Sequence, residues 1–92
     1  MIPEFIDSLS SDTIRVIFRK RSNGLARSLL CTLNPDMIPP EQMKTFSSVL
    51  DTIETYGNRY VVWDIESLDW RSFYEDTIIS FERESENTPP PT

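Results

Sequence analysis

The Asn23-Gly24 pair, which separates two stretches of alternating apolar residues, most strongly constrains how this chain folds. The stretches cover residues 13–21 and 25–33. Their apolar side chains recur at every second position, as Ile14, Val16 and Phe18 and then as Leu29, Cys31 and Leu33. A period of two is typical of half-buried strands, and Asn-Gly supplies the positive φ angles that tight hairpin turns need. The pattern therefore predicts a β-hairpin.

Between residues 40 and 56 the apolar period changes to that of a helix. The apolar positions that share one helical face are Met43, Phe46, Leu50 and Ile53, with Val49 beside them. Pro39-Pro40 argues against a strand here, and Gly57 suits the left-handed conformation that often ends a helix. The sequence predicts one amphipathic helix over residues 40–56, inserted between two β segments.

Three short alternating segments follow this helix and predict a tight meander. The predicted strands cover residues 59–65, 70–74 and 77–82. At the other end of the chain, residues 3–10 of an N-terminal region 1–12 predict either a short helix or an irregular arm. Residues 83–92 are acidic and rich in proline, a composition that predicts a disordered tail.

This order of elements predicts an α+β, mainly β, domain over residues 13–82, built as a small five-stranded SH3-like or Sm-like antiparallel barrel. Several strands carry apolar residues on both faces, although a small barrel has one interior. The predicted core is Val16, Phe18, Leu29, Leu33, Trp63, Phe73, Ile79 and Phe81. The surplus apolar set is Ile17, Leu30, Val62, Trp70 and Ile78. Either the helix or a second copy of the chain must cover that set, so a monomer and a homodimer both stay open.

The composition excludes most enzymatic chemistry. The chain has no histidine, which is the commonest general base near neutral pH and the commonest metal ligand. Its single cysteine, Cys31, forms neither an internal disulfide nor a zinc site. Two glycines are too few for a phosphate-cradling loop. We therefore expect no catalytic residues, no metal and no cofactor, and a role other than that of an enzyme.

Charge is unevenly distributed along the chain. The net charge of −6 argues against nucleic-acid binding by the molecule as a whole and suits a basic protein partner. Five of the nine basic residues nevertheless lie between Arg15 and Arg27, which makes the predicted hairpin basic. With one cysteine and no signal peptide, apolar membrane span or lipidation motif in the sequence, we expect a cytoplasmic protein with no membrane contact.

Six residues are candidates for binding a ligand or partner: Arg15, Arg19, Arg27, Tyr60, Trp70 and Arg71. The hairpin arginines, with the two aromatic residues nearby, would form a platform for single-stranded nucleic acid. The alternative is a solvated face that balances acidic residues elsewhere. For Arg71, which lies between Trp70 and Phe73, one interpretation is a stacked donor to phosphate or carboxylate. The other is an ion pair with Asp64 or Asp76 that ties the meander together.

Two groups of residues carry a family resemblance. The first is Cys31-Thr32-Leu33-Asn34-Pro35 with Ile38-Pro39, and the second is Val62-Trp63-Asp64 with Trp70-Arg71-Ser72-Phe73 and Asp76-Thr77-Ile78. Over residues 13–82 the chain resembles short phage and bacterial proteins with an Sm-like SH3 β-barrel, related to WYL domains. The resemblance implies a barrel, a phage or bacterial source and no catalytic residues. Related WYL domains are regarded as ligand-sensing modules, some for nucleic acids or nucleotides. The chain departs from them in lacking a contiguous Trp-Tyr-Leu motif and in the enlarged helix at 40–56.

Three functional hypotheses follow. The first is a small non-enzymatic phage-type protein that engages or inhibits a host protein in the host cytoplasm. The second is a WYL-like module that binds a nucleotide or single-stranded nucleic acid through the basic hairpin. The third is a DNA mimic whose carboxylates block a nucleic-acid enzyme.

Overall fold

A computed structural model describes residues 2–84, so the predicted tail lies outside the described residues from position 85 onward. The two helices and five strands are α1 (Pro3–Ser11), β1 (Thr13–Arg19), β2 (Ala26–Thr32), α2 (Met43–Tyr56), β3 (Arg59–Asp64), β4 (Asp69–Tyr74) and β5 (Ile78–Arg83). Short 3-10 helices cover Pro35–Met37, Pro40–Gln42 and Glu75–Thr77. The strands form one antiparallel sheet in the order β4-β3-β2-β1-β5. The predicted α+β, mainly β, class is confirmed at this level.

The predicted hairpin is present, with β1 and β2 paired from Thr13↔Thr32 to Arg19↔Ala26. Its turn is longer than the two residues of the tightest hairpins. The Gly24 amide donates to the Lys20 carbonyl at 2.8 Å, and the Lys20 amide donates to the Leu25 carbonyl at 2.9 Å. Gly24 adopts φ 73°, which glycine reaches without steric cost. The basic residues at the end of β1 therefore lie in an ordered loop.

Helix α1 forms where the sequence left a helix and an irregular arm open. Pro3 occupies the first turn, where its missing N–H costs nothing. Phe5 and Leu9, one turn apart, form the fully buried face of the helix. The Tyr60 hydroxyl accepts a hydrogen bond from the Ile2 amide at 2.8 Å, which ties the start of the helix to β3.

Aromatic contacts show that the sheet curls around α1. The Phe5 ring lies 4.7 Å from the Phe81 ring of β5 and 4.9 Å from the Tyr60 ring of β3. The Phe18 and Phe73 rings stack at 4.9 Å, although two strands separate β1 from β4 in the sheet. No hydrogen-bonded ladder joins β4 to β5 within residues 2–84, so the sheet is open along these two edges.

A β-bulge in β5 makes one core prediction wrong. Ile17 pairs with Ser80 and Phe18 pairs with Ile78, so Ile79 has no partner position on β1. An extra residue of this kind bends the strand and shifts the alternation of its side chains. Ile79 is consequently 50% exposed and lies outside the core, contrary to the prediction.

Strand β3 is covered on both faces, which corrects a second prediction. Val62, predicted as surplus, is fully buried on the same face as Tyr60. Trp63, on the opposite face, is also buried and contacts Trp70 with its ring centroid at 5.1 Å. Both neighbours are therefore buried, against the expectation that only Trp63 belongs to the core.

Helix α2 follows the predicted apolar stripe with one exception. Val49 and Ile53 are buried, and Phe46 stacks on Trp70 with 6.5 Å between ring centroids. The helix thus covers part of the surplus face, as expected. It ends at Gly57, whose φ of 70° and amide bond to the Ile53 carbonyl complete a left-handed cap. Leu50 is the exception, since it is exposed.

Substitution of Phe5 tests whether α1 holds the curled sheet together. Phe5→Leu keeps an apolar side chain but removes the ring contacts with β3 and β5, so we expect the free energy of unfolding to fall by about 1–3 kcal/mol. Ile79→Ala is the control, and its exposed position predicts a change within about 0.5 kcal/mol. Urea unfolding followed by tryptophan fluorescence measures both. Equal losses in the two variants would contradict the assigned core.

Candidate functional site

A pocket of about 230 Å³ opens where the β1–β2 loop approaches β4. Its lining residues are Phe18, Arg19, Lys20, Arg21, Ser22, Arg27, Leu29, Arg71, Ser72, Phe73, Tyr74 and Thr77. Phe18, Leu29 and Phe73 supply buried apolar side chains. Five of the lining residues are cationic and none is acidic. We call this cavity the basic pocket.

The register of the sheet explains why arginines meet aromatic rings here. Phe18 pairs with Arg27, and Val62 pairs with Arg71, so both arginines belong to the apolar face of the sheet. Strands β2 and β3 are paired only at Cys31↔Asp64 and Thr32↔Trp63. These are the last residues of both strands, so most of β2, including Arg27 and Leu29, extends past the end of β3.

Arg71 is fixed from one side by carboxylates. Its Nε lies 3.6 Å from Asp64 Oδ2, and its Nη1 lies 3.5 Å from Asp69 Oδ2. The predicted ion pair with Asp64 is therefore present, whereas Asp76 pairs with a different arginine. Because Arg71 also lines the basic pocket, it links β4 to carboxylates of the β3–β4 meander and also presents a cation to the cavity.

The electrostatic environment keeps Asp64 ionised although its side chain is buried. Burial acts to raise the pKa of Asp64, but hydrogen bonds from Ser67 and Glu66 and the charge of Arg71 outweigh it. The Asp64 Oδ1 accepts from the Glu66 amide at 3.0 Å and from the Ser67 amide at 3.2 Å. The pKa of Asp64 therefore lies below its ordinary value of 3.8, and Arg71 keeps its negative partner at neutral pH.

The remaining cations of the basic pocket differ in how far they are engaged. Arg19 Nη1 donates to the Gly24 carbonyl at 2.8 Å. Arg21 pairs with Asp76 and lies over the ring of Tyr74. The side chains of Arg27 and Lys20 have no ion pair or hydrogen bond within residues 2–84, so their charges are free to meet a ligand.

Three of the six predicted binding residues lie in the pocket and three do not. Arg19, Arg27 and Arg71 come together there. Arg15 lies elsewhere, where its Nη1 donates to Ser28 Oγ at 3.2 Å and its Nε lies 3.8 Å from Glu84 Oε2. Arg15 and Arg27 also fall on opposite faces of the hairpin, so the platform predicted from the hairpin arginines does not form.

The two predicted aromatic residues have structural roles instead. Tyr60 is fully buried, which raises its pKa, and its hydroxyl lies 3.4 Å from Glu75 Oε1. Trp70 is half-buried beside α2 and donates from Nε1 to Gln42 Oε1 at 3.0 Å. The stacking platform predicted from Tyr60 and Trp70 is therefore not assembled at the basic pocket.

Sequence reasoning missed Lys20, Arg21 and Tyr74 as pocket residues. Lys20 and Arg21 belong to the basic run that was recognised, and Tyr74 ends the predicted strand before a turn. The signal that would have selected them is their position beside turns. What brings them together is the approach of the β1–β2 loop to β4, which no local pattern encodes.

Cys31 has the environment of a structural thiol. Burial, with a smaller effect from the Asp64 charge and an opposing one from Arg15, raises the pKa of Cys31 to about 12. The thiolate is the nucleophilic form, and it is scarcely populated at neutral pH. Within residues 2–84 no three histidine, cysteine, aspartate or glutamate residues are grouped so as to hold a metal ion.

Alkylation tests this assignment of Cys31. In the folded chain at pH 8 we expect iodoacetamide to modify Cys31 at least about 100-fold more slowly than in urea, because burial blocks access and suppresses the thiolate. Mass spectrometry of quenched time points measures the rates. Modification of the native chain at the rate of the unfolded one would show that the thiol is exposed and reactive.

In comparisons with known proteins, no protein-family model, curated protein or solved structure matches the chain. The resemblance to WYL-like phage and bacterial proteins therefore stays a prediction from sequence. Among the helices of the described residues, none has the length and apolar character required to cross a bilayer.

Proposed function

We propose that the chain is a small non-enzymatic binding module on an SH3-like barrel, and that its basic pocket holds a nucleotide, free or within single-stranded nucleic acid. One observation carries the proposal. In a chain of net charge −6, a cavity lined in part by buried apolar side chains carries five cationic residues. Two of them pair with carboxylates beside the cavity, whereas Arg19, Lys20 and Arg27 have no ion pair within residues 2–84. This local reversal of charge suits an anionic ligand.

The pocket combines the two contacts that nucleotides require. Cationic side chains attract phosphate, and the free side chains of Arg27 and Lys20 supply this attraction. Bases stack on aromatic rings and on guanidinium planes. Tyr74, which is 38% exposed, provides ring surface at the pocket, and the buried Phe18–Phe73 pair adds apolar lining. A volume of about 230 Å³ is sufficient for one base.

The proposed barrel is supported by the order and connection of the strands. The edges of the sheet are β4 and β5, and they are consecutive in the chain, joined through the 3-10 helix Glu75–Thr77. The contact of Phe18 with Phe73 brings β1 towards β4, as closure requires. Arg21 and Asp76 add a contact between the β1–β2 loop and the β4–β5 connection.

Ion pairs away from the pocket bear on the DNA-mimic hypothesis. Away from the pocket, Arg15 pairs with Glu84 and Arg83 pairs with Asp12. These arginines are largely neutralised, and they also interrupt the acidic surface that a DNA mimic would need. The nucleotide hypothesis is therefore favoured over mimicry.

Two arginine substitutions of equal charge test the proposal. Arg27→Gln removes an unpaired cation from the pocket, so we expect binding of a labelled single-stranded oligonucleotide to weaken about 3–10-fold at about 10 mM salt. The slope of log affinity against log salt should fall by about 0.7. Fluorescence anisotropy measures both quantities.

Arg15→Gln is the matched control, because it changes net charge equally but lies outside the pocket. We expect it to retain nearly wild-type affinity. Equal weakening by the two substitutions would show a non-specific charge effect. No binding by the wild-type chain at this salt concentration would reject the nucleotide function.

A second candidate function, engagement of a host protein by a phage-type module, is favoured by two exposed apolar side chains of α2. Leu50 is 44% exposed and Tyr56 is 65% exposed, and both are large apolar side chains. Exposed acidic residues, Asp51 and Glu54, lie on the same helix. An apolar surface with acidic neighbours suits a partner with a basic rim.

A pull-down from bacterial lysate distinguishes this second function from the first. We expect a specific protein to be recovered by the wild-type chain and by Arg27→Gln, and to be lost with the double variant Leu50→Ser/Tyr56→Ser, because the α2 surface supplies the contact. Loss with Arg27→Gln instead would place the partner at the basic pocket. Quantitative mass spectrometry of the recovered proteins provides the measurement.

A further inference from the structure

We propose that the ion pair between Arg21 and Asp76 at the basic pocket is exchangeable, and we call this pair the clasp. Asp76 binds Arg21 in the free chain, and an anionic group of the ligand replaces Asp76 when the ligand binds. The inference rests on the proposed function, because it requires an anionic ligand in this pocket. The inference adds that Arg21 changes its partner when the ligand binds, and that the Asp76 carboxylate competes with the ligand for Arg21.

The clasp joins two parts of the chain that are distant in sequence. Arg21 Nη2 lies 2.8 Å from Asp76 Oδ1 and 3.0 Å from Asp76 Oδ2. The guanidinium carbon lies 3.9 Å from the centre of the Tyr74 ring. Arg21 belongs to the β1–β2 loop, whereas Asp76 belongs to the connection between β4 and β5. The contact therefore spans one side of the pocket that both Arg21 and Tyr74 line.

The exposure of the pair makes it suitable for exchange. The side chains of Arg21 and Asp76 are 54% and 74% exposed. Ion pairs this exposed contribute little to stability, since water and salt screen them. One nitrogen of Arg21, Nη2, makes both contacts with Asp76, so an incoming anion can engage Nε and Nη1 first and then displace the carboxylate from Nη2. A phosphate can therefore meet Arg21 without breaking the fold.

Arg71 shows the opposite arrangement on the same pocket. Its partner Asp64 is buried, and hydrogen bonds from the β3–β4 turn hold that carboxylate in place. Replacing Asp64 would leave a buried polar site without its partners, which is costly. The pocket thus contains one arginine with a fixed carboxylate and one with an exposed carboxylate that a ligand can displace.

Tyr74 keeps Arg21 at the pocket when Asp76 is displaced. A guanidinium over an aromatic face is attracted by the ring quadrupole, and this contact does not compete with hydrogen bonds in the guanidinium plane. The plane can therefore face a phosphate while the stack persists. A ligand that lacks an anionic group has nothing to exchange with Asp76, so the clasp favours phosphate-bearing ligands over neutral rings.

Asp76→Asn tests the clasp, using the labelled single-stranded oligonucleotide at about 10 mM salt. Removing the competing carboxylate frees Arg21, so we expect affinity to rise about threefold and its dependence on salt to become steeper. Asp51→Asn, an exposed position on α2 outside the pocket, is the control for net charge. A gain no larger than that of Asp51→Asn would overturn the clasp.

A double variant distinguishes an effect of Asp76 that acts through Arg21 from the general electrostatic effect of removing one negative charge. In the Arg21→Gln background we expect Asp76→Asn to give no gain, because the carboxylate acts through Arg21. A full gain in that background would overturn the proposal. If Arg27→Gln weakens binding while Asp76→Asn changes nothing, the clasp alone fails. If the wild-type chain binds no oligonucleotide, the clasp and the nucleotide function fail together.

Discussion

The packing of aromatic rings on the inner face of the sheet is the interaction on which the rest of the structure depends. Phe5 of α1 contacts rings on β3, β4 and β5, and Phe73 in turn stacks on Phe18 of β1. Rings of this size bury large apolar areas, and their mutual contacts are directional. This cluster therefore curls a sheet whose edge strands share no hydrogen-bonded ladder in the described residues.

The basic pocket is a consequence of the same packing. Because Phe18 and Phe73 meet, the loop that follows β1 lies beside β4, and its cations approach Arg71. Pairing in the sheet then places Arg27 next to Phe18. Arg27 and Lys20 in the pocket have no ion pair in the described residues, whereas Arg15 and Arg83 outside it are paired with carboxylates. Local register, rather than overall charge, brings these cationic side chains together.

The sequence predicted the elements well where periodicity decided them. The hairpin, helix α2 and the three later strands all lie within two or three residues of their predicted bounds. Failures came from features without a periodic signature. The bulge that exposes Ile79 depends on how β5 meets β1, and the burial of Tyr60 depends on α1. Half of the predicted binding residues lie in the pocket. Strand alternation indicates which face of the sheet a side chain occupies, but it does not indicate which loops approach that face.

The short ladder between β2 and β3 divides the sheet into two unequal panels. One panel contains β5, β1 and β2, and the other contains β3 and β4. Two residue pairs and the hydrogen bond from the Ile65 amide to the Leu30 carbonyl connect the panels, and we call this connection the seam. The basic pocket is lined by both panels, with Arg27 on one and Arg71 on the other. The separation of the two guanidinium groups therefore depends on the stacking of Phe18 on Phe73 across the seam more than on backbone hydrogen bonds between the panels.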